Sequence, residues 1–412
     1  MAVPASPRAA DSHRRPSGDL PPARSFTGPQ VALLVSGVLV NIGSFSIYPY
    51  LAVLLRDRMG MEMGRVGVVL GLATLVQFAS APATAALAER VGLQRCLLGA
   101  TVLYSLGGAA FLTGDSSPVL SVAGLLLISA GGSLYSPAYR GYLMNGVGPE
   151  RRPALVSAGN AAGNFGIALG PVLGALLIRY PDAMFGLVTV IYVSLAIGHL
   201  FLPRERRGED DRSVEPFRRM FSGLAVLPFA TTALSIYLYM QFYQYLSSYS
   251  QGRMPTLLFG AAMMGYSLGL VFVQPLLAER VGRMAYRTAM AVGFACLAAG
   301  MAAFAGGNGL TVVAGVAIIS VGNAVLFLKN DLEALARSRR PATVVFGQQR
   351  LAVGVGSFLS GVIGGHVYGT FDHAGILPGF WLAVAAQCVL LPPLLLGTRQ
   401  WFRSVRGRAG PR

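Results

Sequence analysis

Long apolar runs separated by short polar turns set the pattern of this chain. Between charges and turn residues, twelve runs can be read: 31–55, 65–86, 96–113, 118–144, 154–178 and 182–202, then 222–248, 256–278, 288–306, 309–332, 342–369 and 376–398. Each is close to the roughly 20 mostly apolar residues that take a helix across about 30 Å of hydrocarbon. None shows the roughly ten-residue alternating segments of a membrane barrel. The pattern predicts an all-α membrane protein with twelve transmembrane helices.

Composition agrees. Of 412 residues, 54% are hydrophobic and 12% charged, whereas a soluble domain carries about 25% charge. The first 28 residues are rich in Pro, Ser and Arg and lack the order of a cleavable signal peptide. They are expected to form a disordered cytoplasmic tail. The charged stretch 203–221 reads as a linker. The predicted organisation is therefore a tail 1–28, a bundle 29–202, a linker 203–221, a bundle 222–398 and a basic tail 399–412.

The net charge of +16 changes the picture through its placement. If the helices alternate, most arginines share one side: the first tail, Arg90, Arg95, Arg151, Arg152, the linker, Arg280, Arg283, Arg287, Arg337, Arg339, Arg340 and the last tail. The other side keeps Arg56, Arg58, Arg65, Arg179 and Arg253. This positive-inside bias predicts an inner (plasma) membrane protein with both termini cytoplasmic. No aromatic residue or motif accompanies the charge, so nucleic acid is not an expected partner. Cys96, Cys296 and Cys388 have no metal spacing and read as apolar filler. No metal and no cofactor is expected.

The six residues LAERVG occur at Leu87–Gly92 and again at Leu277–Gly282. The same shift of 190 residues lays Gly166 on Gly356 and Gly174 on Gly364. With a slightly longer shift, Tyr48–Met59 (YPYLAVLLRDRM) meets Tyr243–Met254 (YQYLSSYSQGRM). Three matches in order read as an internal duplication: two pseudo-symmetric six-helix bundles with a solute site between them at mid-membrane.

AALAERVGLQR (Ala85–Arg95) resembles the loop between the second and third helices of the major facilitator superfamily, and PLLAERVGRMAYR (Pro275–Arg287) resembles a second copy. Ala85 and Pro275 stand for the pattern's leading Gly, Glu89 and Glu279 for its Asp, and Leu93 for an Arg. The resemblance covers Val31 to Gly397. It implies a conformational switch made by Glu89, Arg90, Gly92, Glu279, Arg280, Gly282 and Arg283. Read from the residues alone, either copy is equally a positive-inside turn with Gly92 and Gly282 as helix stops. The run Gly166-x-x-x-Gly170-Pro171-x-x-Gly174 resembles a motif of the twelve-helix drug–proton antiporter branch. Its glycines let a neighbouring backbone approach, and Pro171 removes a helical hydrogen bond. The fourth helix has Leu127 where such exporters often carry an Arg.

Polar groups inside spans are costly and mark solute or ion paths. Ser129, Ser133, Ser136 and Arg140 share a helical face, as do Arg350, Gly354, Ser357 and Gly361. The 190 shift pairs Arg140 with Asn330 and Asn160 with Arg350. Candidate solute contacts are Asn41, Tyr48, Ser133, Arg140, Asn160, Asn164, Tyr237, Gln241, Asn323, Asn330 and Arg350; each could equally serve an interhelical bond. Gln244 shares the face of Tyr237 and Gln241. Lys329, the one lysine, is expected to snorkel to the interface. Asp331 is the most embedded carboxylate and the candidate for proton coupling, with a static salt bridge to Arg350 or Lys329 as its other reading.

The resulting expectation is a monomeric secondary transporter embedded in the lipid bilayer, with a small-molecule solute and protons as partners. It exports a drug or secondary metabolite in exchange for protons by rocking its bundles. The alternative is proton-coupled uptake or facilitated diffusion of a solute such as a sugar. No catalytic arrangement or phosphate loop is present in the sequence, so no enzyme is expected.

Overall fold

The computed structural model describes residues 26–113, 117–145, 147–148, 151–204, 222–340 and 342–408; side chains are described for all of these except Glu89, 152–154, 342–343 and 398–408. Most of the tail expected over 1–28, most of the 203–221 linker and the last four residues lie outside them.

Helices form where the apolar runs lie. The first run becomes α1 (Gly28–Ile47), a tight turn at Tyr48–Tyr50 and α2 (Leu51–Asp57), broken where Pro49 withholds a backbone donor. Next come α3 (Met63–Ala79), α4 (Ala81–Val91), α5 (Leu93–Leu112), α6 (Pro118–Met144), α7 (Arg152–Leu177) and α8 (Pro181–Leu200). After the linker follow α9 (Val226–Ser250), α10 (Thr256–Arg283), α11 (Tyr286–Phe304), α12 (Gly309–Arg337), α13 (Ala342–His373) and α14 (Leu377–Arg408). Among the described residues, ten spans are long and apolar enough to cross a membrane, and eleven if α3 and α4 count as one. The 25-residue α9 is not among them. Between Ser235 and Gln244 alone it buries five tyrosine, glutamine and serine side chains, Ser235, Tyr237, Tyr239, Gln241 and Gln244, with Tyr243 half-buried beside them. It faces protein, so it does not need an apolar surface.

The second run is not one straight helix. The chain bends by 42° between α3 and α4, because Pro82 begins a new helix and the broken backbone is held from outside. Ser80 Oγ and Ser133 Oγ lie 2.6 Å apart, and Thr84 Oγ1 donates to the Ser133 carbonyl at 2.9 Å.

Helix order defines two ends. The terminal face holds the start of α1 and the turns at 92, 284–285 and 338–340. The distal face holds the turns at 58–62, 178–180, 251–255 and 374–376. Within residues 28–204, α1 packs on α7 and α8, α5 on α6 and α8, and α3 on α6. Within residues 222–408, α9 packs on α13 and α14, α11 on α12 and α14, and α10 on α12. The second set is the first moved by the 190-residue repeat. Contacts between the two segments obey the same exchange: α3 meets α13, and α7 meets α10.

Small residues make these contacts close. Gly166, Gly170 and Gly174 line α7 against α1, where a Cβ on Gly170 would lie 2.7 Å from Phe45. Tyr50 Oη donates to the Pro171 carbonyl at 2.6 Å across the same seam. The α3–α13 seam is tighter still. A Cβ on Gly361 would stand 2.7 Å from Gly71 Cα, and one on Gly365 2.7 Å from the Met63 carbonyl oxygen. Beyond the bend, α4 has little contact with α13. The segments are thus packed toward the distal face and part toward the terminal face.

The two LAERVG copies fold differently. Gly92 stops α4 with φ of 109°, a conformation that suits glycine. Gly282 stops nothing, since α10 continues to Arg283. Beside this helix end lies Lys329, whose stem carries its ammonium to the terminal end of α10, where it meets protein carbonyls. It is buried, and its Nζ donates to the carbonyls of Val281, Gly282 and Met284 at 3.3, 3.2 and 2.6 Å. A cation there satisfies the orphan carbonyls of a helix C-terminus and its negative end. Lys329→Met removes these bonds and leaves buried carbonyls unpaired, costing about 1–3 kcal/mol. The expected result is a melting temperature several degrees lower in detergent, with Lys329→Arg closer to wild type; an unchanged melting curve for the methionine variant would refute the clamp.

Candidate functional site

Where the segments begin to part, a cavity of about 210 Å³ lies between them. The first segment contributes Phe45, Tyr48, Thr74, Gln77, Phe78 and Ser129, and the second Tyr239, Met240, Tyr243 and Gln244. The break after α1 turns Tyr48 inward, and its Oη meets Gln77 Oε1 at 3.4 Å. Tyr239 is held in place by stacking on Tyr266 with centroids 5.7 Å apart. None of the lining residues is ionisable other than the tyrosines. Tyr243 Oη and both polar atoms of Gln244 are buried and have no hydrogen-bond partner in the protein. Buried polar atoms ordinarily have partners, and these have almost no accessible surface of their own, so a solute or water completes their bonding only as the side chains turn toward the cavity.

A charged layer lies between this cavity and the terminal face. Arg350 of α13 is half-buried, with its guanidinium 5.8 Å from the ring centre of Phe78, a cavity wall. It is within electrostatic reach of Asp331 on α12 and Arg140 on α6. The fold therefore brings together three residues that the sequence singled out separately.

Most other sequence candidates have a polar atom engaged within or between helices, while Gln241 Oε1, Asn323 Oδ1 and Asn330 Nδ2 are buried without a partner. Asn41 Nδ2 donates to the Gly37 carbonyl at 2.8 Å, and its stem faces Gly166. Ser133 holds the α3–α4 bend. Tyr237 Oη donates to Gln387 Oε1 at 2.7 Å, and Gln241 Nε2 approaches the same oxygen at 3.5 Å. Asn323 Nδ2 donates to Tyr266 Oη at 3.0 Å. Asn330 Oδ1 accepts from Thr231 Oγ1 at 2.9 Å and Tyr286 Oη at 2.8 Å. Asn160 is exposed and Asn164 half-buried on α7. Sequence reasoning did not select Gln77, Thr74, Phe78, Tyr239 or Tyr243. A glutamine inside the apolar run 65–86 was the available signal for Gln77.

Of the switch residues, Glu279 pairs with Arg283 one turn along its own helix, both exposed. Arg90 and Arg280 are exposed, and the side chain of Glu89 is outside the described set. At the distal face, Arg56 Nη2 meets Asp372 Oδ2 at 2.8 Å, and Gln251 Nε2 donates to Asp57 Oδ2 at 2.7 Å. Both contacts tie one segment to the other. Beside them lies a recess of about 500 Å³ lined by Asp57, Arg58, Arg179 and Gln251.

The chain is 30% identical over 175 residues to an uncharacterized MFS-type transporter of Mycobacterium tuberculosis, an alignment covering 40% of this chain and 41% of that protein. It is 29% identical over 148 residues to the multidrug resistance protein MdtH of Klebsiella pneumoniae, covering 36% and 37%. The chain thus spans about two fifths of the length of the curated relatives it matches. Among solved structures, the nucleoside transporter NupG superposes with a TM-score of 0.77 at 11% identity, over 90% of this chain and 99% of that one. A proton-dependent oligopeptide transporter superposes at 0.70 and 13% identity, over 91% and 99%. At such identities the likeness establishes the fold alone. The model of the Major Facilitator Superfamily matches residues 33–360, most of the chain, and this protein belongs to that family of membrane transporters.

Proposed function

We propose that this transporter is a secondary antiporter of the inner (plasma) membrane, exporting a small organic solute in exchange for protons. Its twelve helices form two six-helix bundles, 29–202 and 222–398, with both termini cytoplasmic, and it works as a monomer. The bundles rock about the central cavity, the terminal face being the cytoplasmic one. The observation that carries this reading is the exchange symmetry of the contacts between segments: α3 on α13 and α7 on α10. A joint whose two sides are interchangeable can be mirrored, closing at the other face. Export is supported by the similarity to a protein named for multidrug resistance.

In this reading, Asp331 carries the coupling proton. The mouth beside it is wet when the terminal face is open and shielded when it closes, so the carboxyl exchanges its proton with water on that side in only one of the two states. Arg350 stays within electrostatic reach of the carboxylate once the proton has left. The switch residues of both loop copies and the Gly166–Gly174 face guide the movement.

The test is a resistance screen in a host lacking its own efflux pumps, comparing wild type with Asp331→Asn. Each compound against which wild type protects is then followed in vesicles with an imposed pH gradient. Wild type moves it only with the gradient, and Asp331→Asn loses at least tenfold of that flux. Flux that runs equally well without a gradient would end the antiport claim in favour of facilitated diffusion.

A further inference from the structure

We infer that the central cavity selects a small, planar, uncharged solute bearing an adjacent donor and acceptor on one edge, as in a lactam or related heteroaromatic ring. Gln244 reads that edge. The inference rests on the cavity being the transport site, and it specifies what that site accepts.

Three observations converge. The first is charge. No aspartate, glutamate, lysine, arginine or histidine lines the cavity; the guanidinium of Arg350 lies 5.8 Å from the ring centre of Phe78 and is not itself part of the lining. An ionised solute there loses its hydration without gaining a counter-ion, which costs far more than a neutral one. The second is shape. Tyr48, Phe78, Tyr239 and Tyr243 all present rings to a space of about 210 Å³, below the roughly 300–1,000 Å³ of a drug-sized pocket. Aromatic walls so close together favour one or two fused flat rings held by stacking and edge contacts.

The third is the unpaired amide. Gln244 is 6% exposed, yet its Nε2 and Oε1 have no partner, and the neighbouring Tyr243 Oη has none either. A primary amide offers a donor and an acceptor side by side in one plane. The matching partner offers the reverse pair, which a ring lactam does with its N–H and C=O. Gln77 differs: its Oε1 is already approached by Tyr48, so it has less to offer. A site whose buried polar groups go unpaired with the wrong ligand discriminates steeply against it.

The probes are 2-quinolone, N-methyl-2-quinolone with the donor edge blocked, and the cation tetraphenylphosphonium. Binding is measured by calorimetry on the full chain in nanodiscs, without a pH gradient, so the result is independent of coupling. Wild type is expected to bind 2-quinolone at least tenfold more tightly than either other probe. In Gln244→Leu that preference over the N-methyl compound disappears, while Tyr243→Phe keeps a reduced preference. Equal binding of the two quinolones to wild type, a preference that survives in Gln244→Leu, or binding of the cation alone would each overturn the inference. Loss of gradient-driven flux with this binding pattern intact would count against the antiport reading and leave the solute class standing.

Discussion

Gly67→Val is expected to lower solute flux at least tenfold in vesicles while the protein still reaches the membrane. A Cβ at this position runs into the carbonyl oxygen of Gly361, and would stand 2.8 Å from both Gly365 Cα and Tyr245 Oη. Backbone on the opposite helix cannot swing aside as a long side chain can. The valine therefore forces α3 and α13 apart over the segment that seals the cavity from the distal face, and the distal-closed state is lost from the cycle. Gly265→Val is the matched control, because nothing lies within 4 Å of a Cβ there and both changes carry the same helical propensity difference. The control should stay within twofold of wild type. Full flux in Gly67→Val would mean that the seam is not part of the working cycle.

The sequence made the helices legible because apolar length is a strong signal in lipid, where the backbone must satisfy itself within the helix. It even located α9, whose tyrosines, glutamines and serines keep it below the hydropathy of its neighbours, because turn residues bracket it. The repeat also held information at depth: Gly356 and Gly364 pack on α9 as Gly166 and Gly174 pack on α1. Two kinds of feature were not legible. One is local geometry. Pro82 marks the start of α4, but the bend before it depends on Ser133 from another helix. The other is the destination of polar side chains. A shared helical face puts Tyr237, Gln241 and Gln244 together, but Gln387 engages the first two and leaves Gln244 free. Asn323 and Asn330 were matched with the solute, and tyrosines and a threonine of neighbouring helices engage one polar atom of each. Pairing across helices is decided by tertiary contacts that one helix's periodicity does not contain. Lys329 is a further case: its long stem suggested the interface, but the end of α10 supplied three carbonyls within reach.

A covalent link at the distal face is expected to stop transport completely and reversibly. The sites are Asp57 and Gln251, now hydrogen-bonded to each other across the segments. Both are changed to cysteine in a chain from which Cys96, Cys296 and Cys388 have been removed, and a short bis-methanethiosulfonate reagent joins them. The natural contacts there cannot act as a lock on their own. Arg56 and Asp372 remain 37% and 23% exposed, and so exposed a pair contributes only about 0–1 kcal/mol. Closure instead comes from the glycine seams behind them, which can part and re-form as packing surfaces slide and separate. The linker changes that balance: it holds the distal ends together at any cost in energy below that of a covalent bond. Rocking then cannot open the distal face, and flux falls to the level of empty vesicles. Reductant cleaves the mixed disulfides and restores it, and each single-cysteine chain transports normally with reagent present. If the linked protein moved solute at the unlinked rate, the two segments would not separate at this face, and alternating access about the central cavity would be the wrong mechanism for this chain.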